Sequence, residues 1–235
     1  DRILDPLYAR ALVAQTPSLD GKPGRRVCLL TLDLCTIGDE SGEIIRHRLA
    51  GKFGFEPDAI MIHLMQNHSA PSLGTHLFLR PDSPCVKPDY WWVYQGDPAY
   101  FEFLLPCLLD LVHQAMLKLA PVTVACGGIA EGGVAFNRRF IMRDGWVQSQ
   151  PVGDDLCQVL CPEGPADPEV GVAGFRDWEG RLVAAVLHHT GHPVSLFGTN
   201  TVTASWPGAW VREFRELVDH RCIVMVVNGC CGNIN

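Results

Sequence analysis

Four apolar runs in this chain stop abruptly at short polar loops, and that arrangement limits what it can fold into. Residues 28–32 end at Asp33, and residues 60–65 at Gln66-Asn67-His68-Ser69-Ala70-Pro71. Residues 183–187 end at His188-His189-Thr190-Gly191-His192-Pro193, and residues 223–227 at Asn228-Gly229-Cys230-Cys231-Gly232-Asn233. Runs this short and this rich in Val, Ile and Leu read as buried strands, predicted over 27–34, 59–65, 122–129, 170–175, 182–188 and 221–227. Between the first two, Ile44, Ile45, Arg48, Leu49 and Phe53 recur at helical spacing and Gly54 follows as a stop, so a βαβ unit is expected. Further helices are predicted over 100–119 and over 206–220, the latter with Ser205 as cap and Pro207 in its first turn. Residues 143–146 and 177–180 read as hairpin turns. Crossover helices together with hairpins predict a mixed α+β fold: mixed β-sheets, two of them packed, covered by helices.

Composition narrows the function classes. The chain has 235 residues, 47% of them hydrophobic, and 26 acidic against 19 basic side chains give a net charge of −7. That suits one globular domain over residues 1–235, read as an internal piece lacking both ends of a longer protein. An acidic balance without a Lys/Arg run argues against nucleic acid or an anionic membrane surface as main partner. The longest apolar run, 103–111, contains Pro106, so no transmembrane segment is expected. The ten cysteines fall mostly within predicted strands and helices and read as buried, reduced thiols. Residues 1–7 lack the charged and apolar regions of a signal peptide, which leaves a soluble cytoplasmic and a secreted location both open. Oligomeric state has no signature here.

In open α/β sheets the carboxyl ends of strands form the ligand crevice, so Asp33, His68, His192 and Gly229 are expected on one rim. His68 and His192 each sit in a proline-bounded loop that can fix an imidazole for metal binding or proton transfer; the plainer reading is a ring bonded to loop backbone. His188 and His189 face opposite sides of a continuing strand, so at most one shares the site. The 229–232 turn is either an anion-binding nest or a tight turn needing glycine. Neither Cys230 nor Cys231 has a base partner in sequence. Asn137-Arg138-Arg139 reads either as donors to a carbonyl or as a solvated basic turn.

These segments, taken in order, resemble the catalytic domain of the neutral/alkaline non-lysosomal ceramidase family. The likeness rests on Asp5-Pro6-Leu7-Tyr8-Ala9-Arg10-Ala11-Leu12, the strand ending in Asp33, Asn67-His68-Ser69-Ala70-Pro71, and Phe136-Asn137-Arg138-Arg139. It continues through Asp167-Pro168-Glu169-Val170, His192-Pro193, residues 204–208 and residues 228–235. The resemblance implies a zinc-activated water attacking an amide carbonyl, with His192 on a ligand position and His68 on the second histidine of the family's His-x-His pair. The first histidine of that pair falls on Gln66, a much weaker donor. A family serine beside the glycine-rich turn falls on Gly229, and two further ligands belong to a region past Asn235. A weakened site, another metal, recruitment of His63 or His76, and loss of the metal all remain open.

The expectation is therefore a metal-dependent hydrolase of the neutral ceramidase type, acting on a small or lipid-like N-acyl substrate, a place in sphingolipid metabolism included. Metal positions are His192, His68 and Gln66, with Zn2+ as cofactor; His68, Asp33 and Gly229 carry the chemistry, Asp33 as a ligand orienter. Asn137, Arg138, Cys230, Gly232 and Asn233 contact substrate. The rival reading is a non-catalytic ligand-binding domain that keeps the fold without the metal.

Overall fold

A computed structural model of the chain describes residues 2–18, 21, 24–74 and 96–235. His76, Cys85 and the Tyr90, Trp91, Trp92 and Tyr94 cluster lie outside the described residues. In chain order the elements are β1 (Arg2–Ile3), β2 (Ala9–Gln15), β3 (Arg26–Leu32), α1 (Asp39–Phe53), β4 (Ile60–Leu64), α2 (Pro98–Leu117) and β5 (Thr123–Ala130). They continue as β6 (Arg139–Met142), β7 (Val147–Ser149), β8 (Val159–Pro162), β9 (Glu169–Arg176), β10 (Leu182–His189), β11 (Thr201–Val202), α3 (Ser205–Leu217) and β12 (Ile223–Asn228). The fold is mixed α+β, as the alternation of periods predicts. The chain divides into two compact units, residues 1–121 with 195–208, and residues 122–194 with 209–235.

In the first unit, β3, α1 and β4 form the expected βαβ crossover: β4 lies parallel to β3, and β2 adds on β3's other side antiparallel. Helix α1 ends at Gly54, whose φ of 71° only a residue without Cβ adopts cheaply. The core gathers Leu30 and Leu32 of β3, Ile45 and Leu49 of α1, and Leu104, Leu108 and Val112 of α2, the last three spaced four apart on one helix face. Leu108 is fully buried there, so Leu108→Ala should lower stability by about 2–5 kcal/mol in chemical denaturation, through lost apolar transfer and the cavity left behind. A loss under 1 kcal/mol would mean that this face is not packed as described.

Helix α2 corrects one expectation. The helix expected over 100–119 is present and runs straight through Pro106, which sits on its exposed side, so the proline that argued against a long apolar span does not interrupt it. By length and composition alone α2 is long and apolar enough to cross a bilayer. Leu104, Leu108 and Val112 form its buried stripe in the first unit's core, while Phe103 and Leu117 are exposed.

In the second unit, a four-stranded sheet has the order β12-β10-β9-β5, with β10 and β12 parallel and the other pairs antiparallel. A separate antiparallel sheet has the order β7-β6-β8. The 143–146 and 177–180 hairpin turns are found where they were expected, between β6 and β7 and between β9 and β10. Two expectations about burial fail. Strand β5, read as buried, is an edge strand whose eight residues are all exposed. Among the nine described cysteines, none in a disulfide, only Cys28, Cys222 and Cys231 are buried; Cys107, Cys126, Cys157, Cys161 and Cys230 are exposed. The apolar neighbours that suggested burial belong to surfaces that are exposed among the described residues.

Candidate active site

Parallel neighbours bring their carboxyl ends out side by side, as β3 and β4 do in the first unit and β10 and β12 in the second. In the first, the register Leu32↔Leu64 puts Asp33 next to the 65–71 loop. The loop is held by its backbone: the N–H of Met65 donates to Leu32 O, that of Asn67 to Leu34 O, and that of Cys35 to Pro71 O. Asn67, which the sequence reading passed over, is fully buried and sets the turn. Its Nδ2 donates to the Thr203 carbonyl at 2.6 Å, and its Oδ1 accepts from the Ser69 N–H at 3.0 Å. Ser69 Oγ donates to Ser195 O at 2.9 Å, and Asp5 accepts from Thr203 Oγ1 and the Ala204 N–H at 2.7 and 2.6 Å. Thr203 Oγ1 in turn accepts the Ser205 N–H at 3.1 Å, so Asp5 and Thr203 organise the start of α3, a task the sequence reading gave to Ser205.

Within this loop Gln66 has a φ of 57°, a left-handed conformation costing a non-glycine residue about 1–3 kcal/mol and found most often near functional sites. His68 is half-buried and meets the Phe197 ring edge-on at 5.2 Å. Asp33 is 3% exposed and engaged on all sides: its carboxylate accepts from Arg10 at 3.2 Å and from the Tyr8 N–H at 2.9 Å. Burial pushes its carboxyl up, against the lowering pull of Arg10 and the Tyr8 N–H. Arg10, also missed in sequence, stacks over the Tyr8 ring at 5.0 Å.

In the second unit, the register His189↔Asn228 delivers Thr190-Gly191-His192-Pro193 beside Asn228-Gly229-Cys230-Cys231-Gly232. Asn228 clamps the two loops. Its Oδ1 accepts the Gly191 N–H at 3.2 Å and its Nδ2 donates to the Gly191 carbonyl at 3.0 Å and to Cys231 Sγ at 3.2 Å, so a side-chain amide takes the place of a backbone rung. His192 is 6% exposed; its N–H donates to Ile234 O and its Nδ1 lies 3.0 Å from the Cys231 carbonyl. A carbonyl accepts only, so Nδ1 is the donor of this bond. Of the neighbouring pair, His188 borders Gly229, whereas His189 is buried with Nδ1 3.3 Å from Glu169 O.

The substrate candidates divide. Asn137 is buried and serves the backbone, donating to Gly164 O at 3.1 Å and accepting the Arg139 N–H at 2.9 Å. Arg138 reaches the turn, donating to Gly232 O at 2.7 Å. A cleft of about 340 Å³ borders Asn137, and one of about 420 Å³ borders Arg138. Cys230 and Gly232 are exposed, Asn233 half-buried. Burial raises the pKa of the Cys231 thiol, which disfavours a thiolate nucleophile there. Asp33, Gln66 and His68 thus share the first unit's rim, and His192, Arg138 and the 229–233 turn share the second's. Among the described residues, no three His, Cys, Asp or Glu side chains come together as a metal-ligand set.

Comparison with known proteins places this architecture in a class. No protein-family profile and no curated protein matches the sequence. Among solved structures, a ceramidase complexed with C2 superposes with a TM-score of 0.71 at 18% identity, over 96% of this chain and 32% of that one. A neutral ceramidase from Pseudomonas aeruginosa superposes with a TM-score of 0.66 at 18% identity, over 90% of this chain and 31% of that one. The chain has the fold of part of the neutral ceramidases, spanning about a third of their length.

Proposed function

We propose that this chain is part of an amide hydrolase of the neutral ceramidase type, which adds water across an N-acyl bond and releases a carboxylate and an amine. The observation that carries the reading is His192, a buried imidazole whose Nδ1 is occupied by the Cys231 carbonyl in a fold shared with ceramidases. A ligating histidine normally donates its other ring N–H to an acceptor, and the Cys231 carbonyl stands in that place for His192. Zn2+, when bound, supplies a nucleophilic water near neutral pH and polarises the carbonyl.

The residues present fit such an ion in part. His192 is one oriented donor; His68 and Gln66 are proposed as further ligand positions on sequence resemblance. Gln66 is the weak member, but its left-handed backbone is one that histidine also enters. Asp33, saturated by Arg10 and Tyr8, is proposed to hold its rim in place. Arg138 and the turn bearing Gly229, Cys230, Gly232 and Asn233 are proposed to face the developing oxyanion or polar head of a lipid-like substrate, with Asn137 shaping the turn's support. The departure at Gln66 favours a second reading, a binding domain that retains the fold without metal.

The test uses full-length protein purified without chelator. Near-stoichiometric zinc and cleavage of a short-chain N-acylsphingosine are expected, with His192→Ala losing both. Gln66→His should tighten zinc about tenfold or more, the scale on which ligand environments act. Absence of any divalent metal from both wild type and Gln66→His would overturn the hydrolase reading and leave the binding domain. Unchanged affinity in Gln66→His would remove Gln66 from the ligand positions.

A further inference from the structure

The turn after β12 presents a steric fact that the proposed reaction leaves unused. A Cβ added to Gly229 would lie 2.1 Å from Thr190 Oγ1 and 3.2 Å from His188 Nε2. Residue 229 is therefore glycine because the hydroxyl of Thr190 stands in the volume a side chain would need. Thr190 is 2% exposed, and its Oγ1 has no hydrogen-bond partner among the described residues. A buried hydroxyl without a partner lowers stability, and valine, of the same shape, would remove that penalty. A hydroxyl kept at such a cost beside a strand-end loop is characteristic of a site where stability yields to function.

We infer that Thr190 is a positioning residue of the site. It brings in from the end of β10 the hydroxyl that a serine at 229 would bring in from the turn, and it acts on the amide substrate through the bare Gly229 backbone it packs against. The inference rests on the hydrolase reading. It adds that the hydroxyl has moved between neighbouring strand ends while its place in space is kept. Substitutions at 190 and 229 are then coupled, since each position has room for a side chain only when the other yields it.

The experiment is a set of variants in the full-length protein, read by thermal unfolding and by kcat and KM on a short-chain N-acyl substrate. Thr190→Val should keep or raise Tm while lowering kcat about tenfold, because the polar group held against the Gly229 backbone is lost, with KM little changed. Thr190→Ser should retain most of kcat. Gly229→Ser alone should lower Tm by several degrees through the clash, and Thr190→Ala with Gly229→Ser should recover both Tm and kcat. Wild-type kcat in Thr190→Val overturns the positioning role. A double variant of wild-type Tm that is no more active than Thr190→Ala overturns the relocation of the hydroxyl. A wild type that cleaves no N-acyl substrate defeats the hydrolase reading and the positioning role with it, whereas recovery of Tm in the double variant separately decides the steric exchange.

Discussion

Replacing Arg10 by methionine should remove about 3–5 kcal/mol of stability near neutral pH, because it leaves the Asp33 carboxylate buried without its counter-charge. The pH dependence identifies the cause. Asp33 already has its folded pKa raised by burial, and loss of the Arg10 guanidinium raises it further. A carboxyl with a raised folded pKa holds its proton more tightly folded than unfolded, so its contribution to stability falls as pH rises from the unfolded pKa, about 3.9, through the folded value. The penalty in Arg10→Met should therefore be small near pH 4 and full at pH 7. Denaturant titrations at the two pH values check this; equal losses would show that Arg10 contributes packing rather than charge.

Asn228→Ala should have the second-largest effect. It removes in one step the side-chain bonds to the Gly191 N–H, the Gly191 carbonyl and Cys231 Sγ, and a lost buried hydrogen bond costs about 0.5–1.5 kcal/mol. The turn that carries His192 and the carbonyl that aims its ring both lose their brace. On the proposed function, zinc affinity of the full-length protein should fall about 10–100-fold, as when the groups behind a ligand are removed. Asn228→Asp should do no better, since a carboxylate accepts the Gly191 N–H but faces its carbonyl. Unchanged affinity in either variant, with the fold retained, would remove Asn228 from the support of His192.

Much of the scaffold was legible because its signals are local. The βαβ unit follows from Ile45 and Leu49 at helical spacing with Gly54 as stop, between two short, mostly apolar runs. The rims were legible as strand ends, and the structure pairs them as β3 with β4 and β10 with β12. What was not legible depends on contacts between residues far apart in sequence. Arg10 lies 23 residues from Asp33, Asn67 lies 136 from Thr203, and Asn228 lies 37 from Gly191. No spacing rule links such pairs, and polar residues next to more conspicuous histidines attract no notice. Burial failed for a related reason: the run at Cys126 is as apolar as a core strand, and only the sheet order puts β5 at an edge, exposed among the described residues.

That uncovered edge has a colloidal consequence. Between Val122 and Ala130 the chain has no charge and no proline, the two devices by which sheet edges ordinarily resist further pairing, and Glu131 is the first charge beyond it. Strand β5 is long for an edge, apolar and open along its whole length. An edge of this kind is where strand pairing between copies begins, so in concentrated solution self-association, rather than unfolding, is expected to set how much of the chain stays dispersed.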